Sequence, residues 1–488
     1  MSPKDAIELH LSDEHATTRL AQLLAPLLTA GDTVLFEGEI GAGKTHFCRS
    51  LIQARLGHDE DVPSPTFTLV QSYDADVGIV HADLYRLTHP DEARELGLDE
   101  AFQTCICLVE WPDRLGHDMV DDPIHIGLST QGDGRLARID PGARPLIRAL
   151  LQRQARSELA RNFLHRAGWQ MALREPLSND ASSRRYERLT LRGETRLLMD
   201  APLNQADSVI DFAHIDGHLR RLGLSAPRID AADFDTGFLL IEDFGNGVFA
   251  HLMRSDAAVE LPLYMAATDV LLHLQSHPPA TGIPRLTDAD WARSADLVLG
   301  WYRFAICGER GDSDPFVAVL QDHLSRLAGL SQVMILRDYH AENLMWLPER
   351  QGLQRVGLLD FQQAQVGQPG YDLVSLLQDA RRDVAQDLER QIVRHFIEHK
   401  GLSESAFSAG YACLGALRAL RILGIFARLC LADGKPGYVD MMPRVWGHLQ
   451  RNLAHPALHM LAASCKGLLP EPTAANLVRI KAQCRNFQ

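Results

Sequence analysis

Between about residues 33 and 140, short apolar runs alternate with longer stretches of helical spacing, the pattern of an α/β layer protein. Residues 33–36 (Thr-Val-Leu-Phe) predict a β-strand, and 46–56 predict an amphipathic helix. Two further runs, 79–83 and 105–110, predict buried strands that close on the carboxylates Asp83 and Glu110. Residues 124–130 and 135–140, joined by Gln131-Gly132-Asp133-Gly134, predict a closing β-hairpin. Pro141-Gly142-Ala143-Arg144-Pro145 then interrupts the pattern. The expected boundary lies between 141 and 152, with domains at 1–145 and 153–488.

The second stretch opens with helical spacing at 157–166, followed by strand patterns at 186–191 and 195–199. Residues 237–245 predict a buried strand running into a turn, and 356–359 a strand that ends in Asp360-Phe361. Apolar helical stripes at 259–275 and 372–379 predict core, as do Trp301 and Tyr302, which could otherwise stack on a sugar ring. Asp372 is expected to cap a helix.

Composition narrows this picture without deciding it. A chain of 488 residues with 46% hydrophobic and 23% charged residues is too long for one core and has the balance of a soluble globular protein. The net charge of −14 argues against direct nucleic-acid binding. The polar start, residues 1–13, predicts no secretory signal. The apolar stretch 414–432 is interrupted by Arg418, Arg421 and Arg428, so no membrane span is expected. Eight cysteines without zinc or disulfide spacing point to reduced thiols and a cytoplasmic location. The 21 histidines show no local metal-pair spacing, so no transition metal is expected.

The first chemistry lies in Gly38-Glu39-Ile40-Gly41-Ala42-Gly43-Lys44-Thr45, which fits G-x-x-x-x-G-K-[ST] between the first strand and helix. Gly38, Gly41 and Gly43 let backbone N–H groups turn around a polyphosphate, and the helix N-terminus adds partial positive charge. Lys44 would reach the β- and γ-phosphates of ATP, and the Thr45 hydroxyl would ligate Mg²⁺. Asp83 and Glu110, at strand ends, are candidates to hold the metal or orient a water. The series 38–45, Ser64-Pro65-Thr66-Phe67, His81-Ala82-Asp83-Leu84-Tyr85-Arg86, Glu95-Leu96-Gly97-Leu98 and Val109-Glu110-Trp111-Pro112 resembles the TsaE family over 5–142. These are the bacterial ATPase subunits of the machinery that makes N6-threonylcarbamoyladenosine at position 37 of tRNA. The resemblance implies ATP hydrolysis in a complex with partner proteins that perform the carbamoyl transfer. By position, Thr45 and Asp83 become the Mg²⁺ residues, with Thr66, Glu110 and Trp111 completing the site.

A second set of motifs suits phosphoryl transfer, which needs a carboxylate at the acceptor hydroxyl and oxygen ligands for Mg²⁺. Asp338 stands five residues ahead of Asn343, and Asp360 follows at a strand end. Asp338 would orient the hydroxyl proton; Asn343 and Asp360 would hold the metal. The small-residue loop with Ser182, Ser183 and Arg184 is a candidate cover for nucleotide phosphates, and Glu242 lies where kinase-like folds meet adenine. Asp180 to Tyr186, Leu198-Met199-Asp200-Ala201-Pro202, Leu336 to Asn343, Leu359-Asp360-Phe361-Gln362, Pro369-Gly370-Tyr371-Asp372 and Lys435-Pro436-Gly437-Tyr438 resemble the aminoglycoside and choline kinase superfamily. Within it the similarity is to the kinases that phosphorylate the anomeric hydroxyl of N-acetylmuramate and N-acetylglucosamine in peptidoglycan recycling. Two positions depart from the superfamily pattern. Leu336 replaces a frequent histidine, and 195–200 offers no lysine for the phosphates, leaving Arg184 or Arg185 as substitutes.

The expected architecture is therefore an α/β P-loop NTPase domain followed by an α+β, protein-kinase-like (aminoglycoside phosphotransferase-like) domain. Alternatives for the second are a kinase for another alcohol, such as an aminoglycoside, choline or homoserine, or an inactive nucleotide-sensing module.

Overall fold

The computed structural model describes residues 6–87, 89, 91–116, 119–177, 184–202, 209–326 and 332–485. The chain divides into two compact units, Met1–Gln170 and Met171–Gln488. In the first unit, strands β1 (Ile7–Leu11), β2 (Thr33–Glu37), β3 (Val70–Tyr73), β4 (Ile79–Asp83), β5 (Ile106–Glu110), β6 (Ile124–Gln131) and β7 (Gly134–Asp140) form one sheet. Its order is β1-β7-β6-β2-β5-β4-β3. The central strands β4, β5, β2 and β6 are parallel, and the edges are closed by antiparallel pairs.

Both faces of that parallel centre are covered, which is why its strands are continuously apolar. Val34, Phe36, Ile106 and Leu108 point into one core with Phe47 and Leu51 of the helix α2 (Lys44–Leu56), which follows α1 (Glu14–Leu24). Leu35, Cys107 and Val109 point into the other, with Leu98 and Phe102 of α4 (Leu98–Thr104), which follows the short α3 (Asp91–Glu95).

The boundary expected between 141 and 152 is corrected by helix α5 (Pro145–Arg166), which starts inside that window and belongs to the first unit. Pro145 takes the first helical turn, where its missing N–H costs nothing. Ile147 and Leu151 are buried in the same core as Leu9 and Ile139, and Arg144 pairs with Asp32 at 2.6 Å. The break in the pattern marked the start of a helix.

The second unit opens on a five-stranded antiparallel sheet in the order β11-β12-β10-β9-β8. Its strands are β8 (Leu173–Leu177), β9 (Arg185–Leu191), β10 (Glu194–Asp200), β11 (Ile229–Asp233) and β12 (Phe238–Glu242), with helix α6 (Val209–Arg221) between β10 and β11. Two short ribbons follow, β13 (Val333–Ile335) with β16 (Gln365–Gly367) and β14 (Leu344–Trp346) with β15 (Val356–Leu358). They pack among helices that include α7 (Phe249–Ser255), α8 (Glu260–Leu274) and the long helix Glu404–Leu431. Among the described residues one stretch, Ala257–Leu274, is apolar and long enough to cross a membrane. Its Leu263, Tyr264, Ala267, Val270, Leu271 and Leu274 are buried in the core of this unit. Tyr302 is likewise fully buried, with its hydroxyl donating to the Pro470 carbonyl.

Candidate active sites

In the first unit the carboxyl ends of β2, β4 and β5 meet the N-terminus of α2. The intervening loop depends on its glycines: Gly38, Gly41 and Gly43 have φ of 141°, 82° and 104°. A Cβ at Gly38 would lie 2.3 Å from the Leu128 carbonyl oxygen, so the close approach also excludes a side chain. Gly43 precedes α2 without a side-chain cap, which leaves the first-turn N–H groups of the helix aimed out of its end. Lys44 is buried, and its Nζ donates to the Gly38 and Glu39 carbonyls at 2.7 and 3.0 Å. The same ammonium sits 3.9 Å from the centre of the Trp111 ring. Burial pulls the Lys44 pKa below its ordinary value, while the nearby Glu110 and Asp83 carboxylates oppose that shift.

The acids are placed by strand register, with Asp83 of β4 directly beside Glu110 of β5. The Thr45 hydroxyl donates to Glu110 Oε2 at 3.0 Å. Ser64 and Thr66 donate to Asp83 Oδ2 at 2.9 and 2.7 Å, and the Tyr85 amide donates to Oδ1 at 3.1 Å. Lys44, Thr45, Thr66, Asp83, Glu110 and Trp111 are thus drawn into one cluster. Sequence reasoning missed His81, whose ring meets Glu110 Oε1 at 3.0 Å. The available signal was strand alternation, since His81 and Asp83 share a face. Cys48, His81 and Glu110 also present ligand atoms within 4.8 Å of one another. They come from α2, β4 and β5, so no local spacing could announce them. Burial pushes the Cys48 thiol well above its usual range.

In the second unit the loop 336–343 joins β13 to β14. The half-buried Asp338 and Asn343 lie on this loop, and the Asn343 amide nitrogen donates to the Asp338 carbonyl at 2.9 Å. That bond leaves the amide oxygen as the atom available for a cation. Asp360 follows β15 with φ of 55°, and Arg337 has φ of 71°; non-glycine residues in this region are uncommon and cluster at functional sites. The main chain joins these parts, because the Leu359 amide donates to the Asn343 carbonyl at 3.0 Å.

The buried guanidinium of Arg184 stands 3.9 Å from Asp360 Oδ1, whereas Arg185 is exposed. Of the two substitutes for the absent lysine, Arg184 is the one turned toward the metal-binding candidate. Ser182 and Ser183 lie outside the described residues. At Glu242 the carboxylate pairs with Arg350 at 2.5 Å and accepts the Arg228 amide at 3.2 Å, and its own amide donates to the Arg228 carbonyl at 2.8 Å.

Asp372 also corrects the sequence reading. It is not a cap of its own helix, Tyr371–Leu377, whose N-cap residue Gly370 makes no side-chain bond. The buried carboxylate instead accepts the Leu336 and Arg337 amides at 2.7 and 2.9 Å, tying down the loop that carries Asp338. Burial pushes its pKa up to about 7, against the pull of those two amides.

Comparison with known proteins follows the same division. Residues 11–138 match the family model "Threonylcarbamoyl adenosine biosynthesis protein TsaE", and 174–407 match "Phosphotransferase enzyme family". A TsaE protein of Rickettsia felis is 40% identical over 128 residues, covering 26% of this chain and 75% of the relative. An N-acetylmuramate/N-acetylglucosamine kinase of Caulobacter vibrioides is 37% identical over 349 residues, covering 64% of this chain and 96% of the relative. The chain belongs to both families. The TsaE part comes first and the amino-sugar kinase part second. A Pseudomonas aeruginosa kinase of the same description is 32% identical over 290 residues, covering 57% of this chain and 83% of its own length.

Proposed function

We propose that the chain joins two ATP-dependent activities. The first unit is the ATPase component of tRNA N6-threonylcarbamoyladenosine synthesis, working with the other proteins of that complex rather than binding nucleic acid directly. The second phosphorylates the anomeric hydroxyl of N-acetylmuramate or N-acetylglucosamine in cell-wall recycling. Both reactions place the chain in the cytoplasm, where ATP is available.

In the first unit, a P-loop NTPase reading is supported by the three left-handed glycines ahead of an uncapped helix. The loop amides and the helix N-terminus would receive the phosphates, and Lys44 would exchange its carbonyl partners for phosphate oxygens. Thr45 and Asp83 offer hard oxygen donors of the kind Mg²⁺ prefers. Glu110 accepts from Thr45 and lies beside Asp83, so it can also orient an attacking water.

In the second unit, Asp338 would accept the proton of the sugar hydroxyl as its oxygen attacks the γ-phosphorus and the bond to ADP breaks. Asn343 and Asp360 again provide oxygen donors suited to Mg²⁺, which when bound would neutralise charge developing on the phosphates. Arg184 would supply a fixed cation in place of the lysine that β10 lacks, with Ser182 and Ser183 contributing phosphate donors and the main chain at Glu242 meeting adenine. The single observation that carries this reading is the placement of Asp338 and Asn343 on one loop, joined to the segment of Asp360 by the bond from the Leu359 amide to the Asn343 carbonyl. It is tested by incubating the full chain with ATP, Mg²⁺ and each free amino sugar, and reading ADP and sugar-1-phosphate. Sugar-1-phosphate is expected, with an equal amount of ADP above that released without sugar; a free sugar left unphosphorylated would overturn it.

A further inference from the structure

Thr45 donates to one oxygen of Glu110 while His81 meets the other, each at 3.0 Å. We propose that His81 is a positioning residue of the first site, holding Glu110 so that Glu110 in turn fixes the Thr45 hydroxyl. This rests on the reading of that site as one for a nucleotide and its metal. A carboxylate whose two oxygens are bonded from two directions cannot rotate about its own axis. Because an ionised carboxylate only accepts, the contact requires the proton on His81 Nε2. The Thr45 hydroxyl then spends its proton on Glu110, which leaves its lone pairs for a cation.

The surroundings of His81 argue that this contact is why a histidine stands there. The side chain is fully buried on the central strand β4, flanked by the apolar Val80 and Ala82. Its other ring nitrogen, Nδ1, is buried with no hydrogen-bond partner among the described residues. An imidazole that leaves one polar atom unsatisfied is a costly way to fill a sheet interior, and an aliphatic residue would serve packing better. The cost is understandable if the single bond it makes aims Glu110. His81 pairs with Leu108, two residue pairs before Asp83–Glu110, so the ring reaches across to Glu110 of β5 diagonally.

The test uses the full chain carrying Asp338→Asn, which silences the second site, with ATP hydrolysis followed in the absence of sugar. His81→Leu removes the donor and is expected to lower kcat about 10- to 100-fold, the usual effect of losing a residue that orients a metal ligand. KM for ATP should stay within about twofold, because Lys44 and the glycine loop are untouched. His81→Gln places an amide donor at a similar reach and should recover most of the rate. Mn²⁺ affinity of the ADP complex, read by electron paramagnetic resonance, should weaken in the leucine variant and return in the glutamine variant. Wild-type rates and Mn²⁺ affinity in His81→Leu would overturn the proposal. Equal loss in both variants with unchanged Mn²⁺ affinity would also overturn it, assigning the histidine to stability alone. Failure of the underlying nucleotide reading shows separately, as hydrolysis that survives Lys44→Ala.

Discussion

Lys44 is held by two carbonyls of its own loop and the face of Trp111, an arrangement that spends a buried ammonium on the phosphate-binding end of α2. Lys44→Ala leaves the glycine conformations intact but removes the charge. ATP hydrolysis by the first unit should fall at least about tenfold, ~1.4 kcal/mol in the barrier, as measured by ADP release with Asp338→Asn present. In the second unit, Asp338→Asn keeps shape and loses the proton acceptor, so sugar-dependent turnover should drop by about 10²–10⁴. Asp360→Asn should fall comparably, and added Mg²⁺ should restore part of the rate only in that variant. His448 carries a pH expectation. Burial pulls its pKa down to about 4, and Arg451 donating to Nδ1 adds to the shift. The neutral ring is therefore favoured by folding. Its contribution is complete above the ordinary value of 6.5 and is lost as pH falls toward 4, on the order of 3 kcal/mol in all. Melting of the second unit should drop over that window, and His448→Gln should flatten the drop; an identical profile in the variant would contradict the assignment.

At the scale of elements, legibility followed sequence distance. The glycine loop, Asp338 to Asn343 and Asp360 were readable because each motif is nearly contiguous and sits between predictable strands. The bond of Asp372 to the Asp338 loop spans more than thirty residues and depends on how a helix packs under a ribbon, which no spacing reveals. Asp372→Ala would leave the buried Leu336 amide and the half-buried Arg337 amide without an acceptor, at about 1–3 kcal/mol for the buried one. Lower kcat together with a lower melting temperature is expected, where a cap would affect stability alone. Helix α5 shows the opposite failure. Its Pro-Gly preface carries a domain-boundary signal, yet Ile147 and Leu151 are interior residues of the first unit. Burying two such side chains contributes ~3–6 kcal/mol. A fragment 1–170 should therefore be soluble and cooperative in thermal unfolding, whereas 1–144 should melt far lower or aggregate; equal melting would restore the earlier boundary.

For the whole molecule, the two families lie in series on one chain, and the residues of each site come from one compact unit. Loss of Lys44 should leave sugar phosphorylation unchanged, and loss of Asp338 should leave sugar-independent hydrolysis unchanged. The central claim, that the second unit is an anomeric amino-sugar kinase beside a separate ATPase, is tested most directly by comparing N-acetylmuramate with its methyl glycoside. Product would be followed by phosphorus NMR in the full chain and in Asp338→Asn. A sugar-1-phosphate is expected from the free sugar, none from the glycoside, and at most about a hundredth as much from the variant. Equal phosphorylation of the glycoside would contradict it, because the transferred group would then be on another hydroxyl.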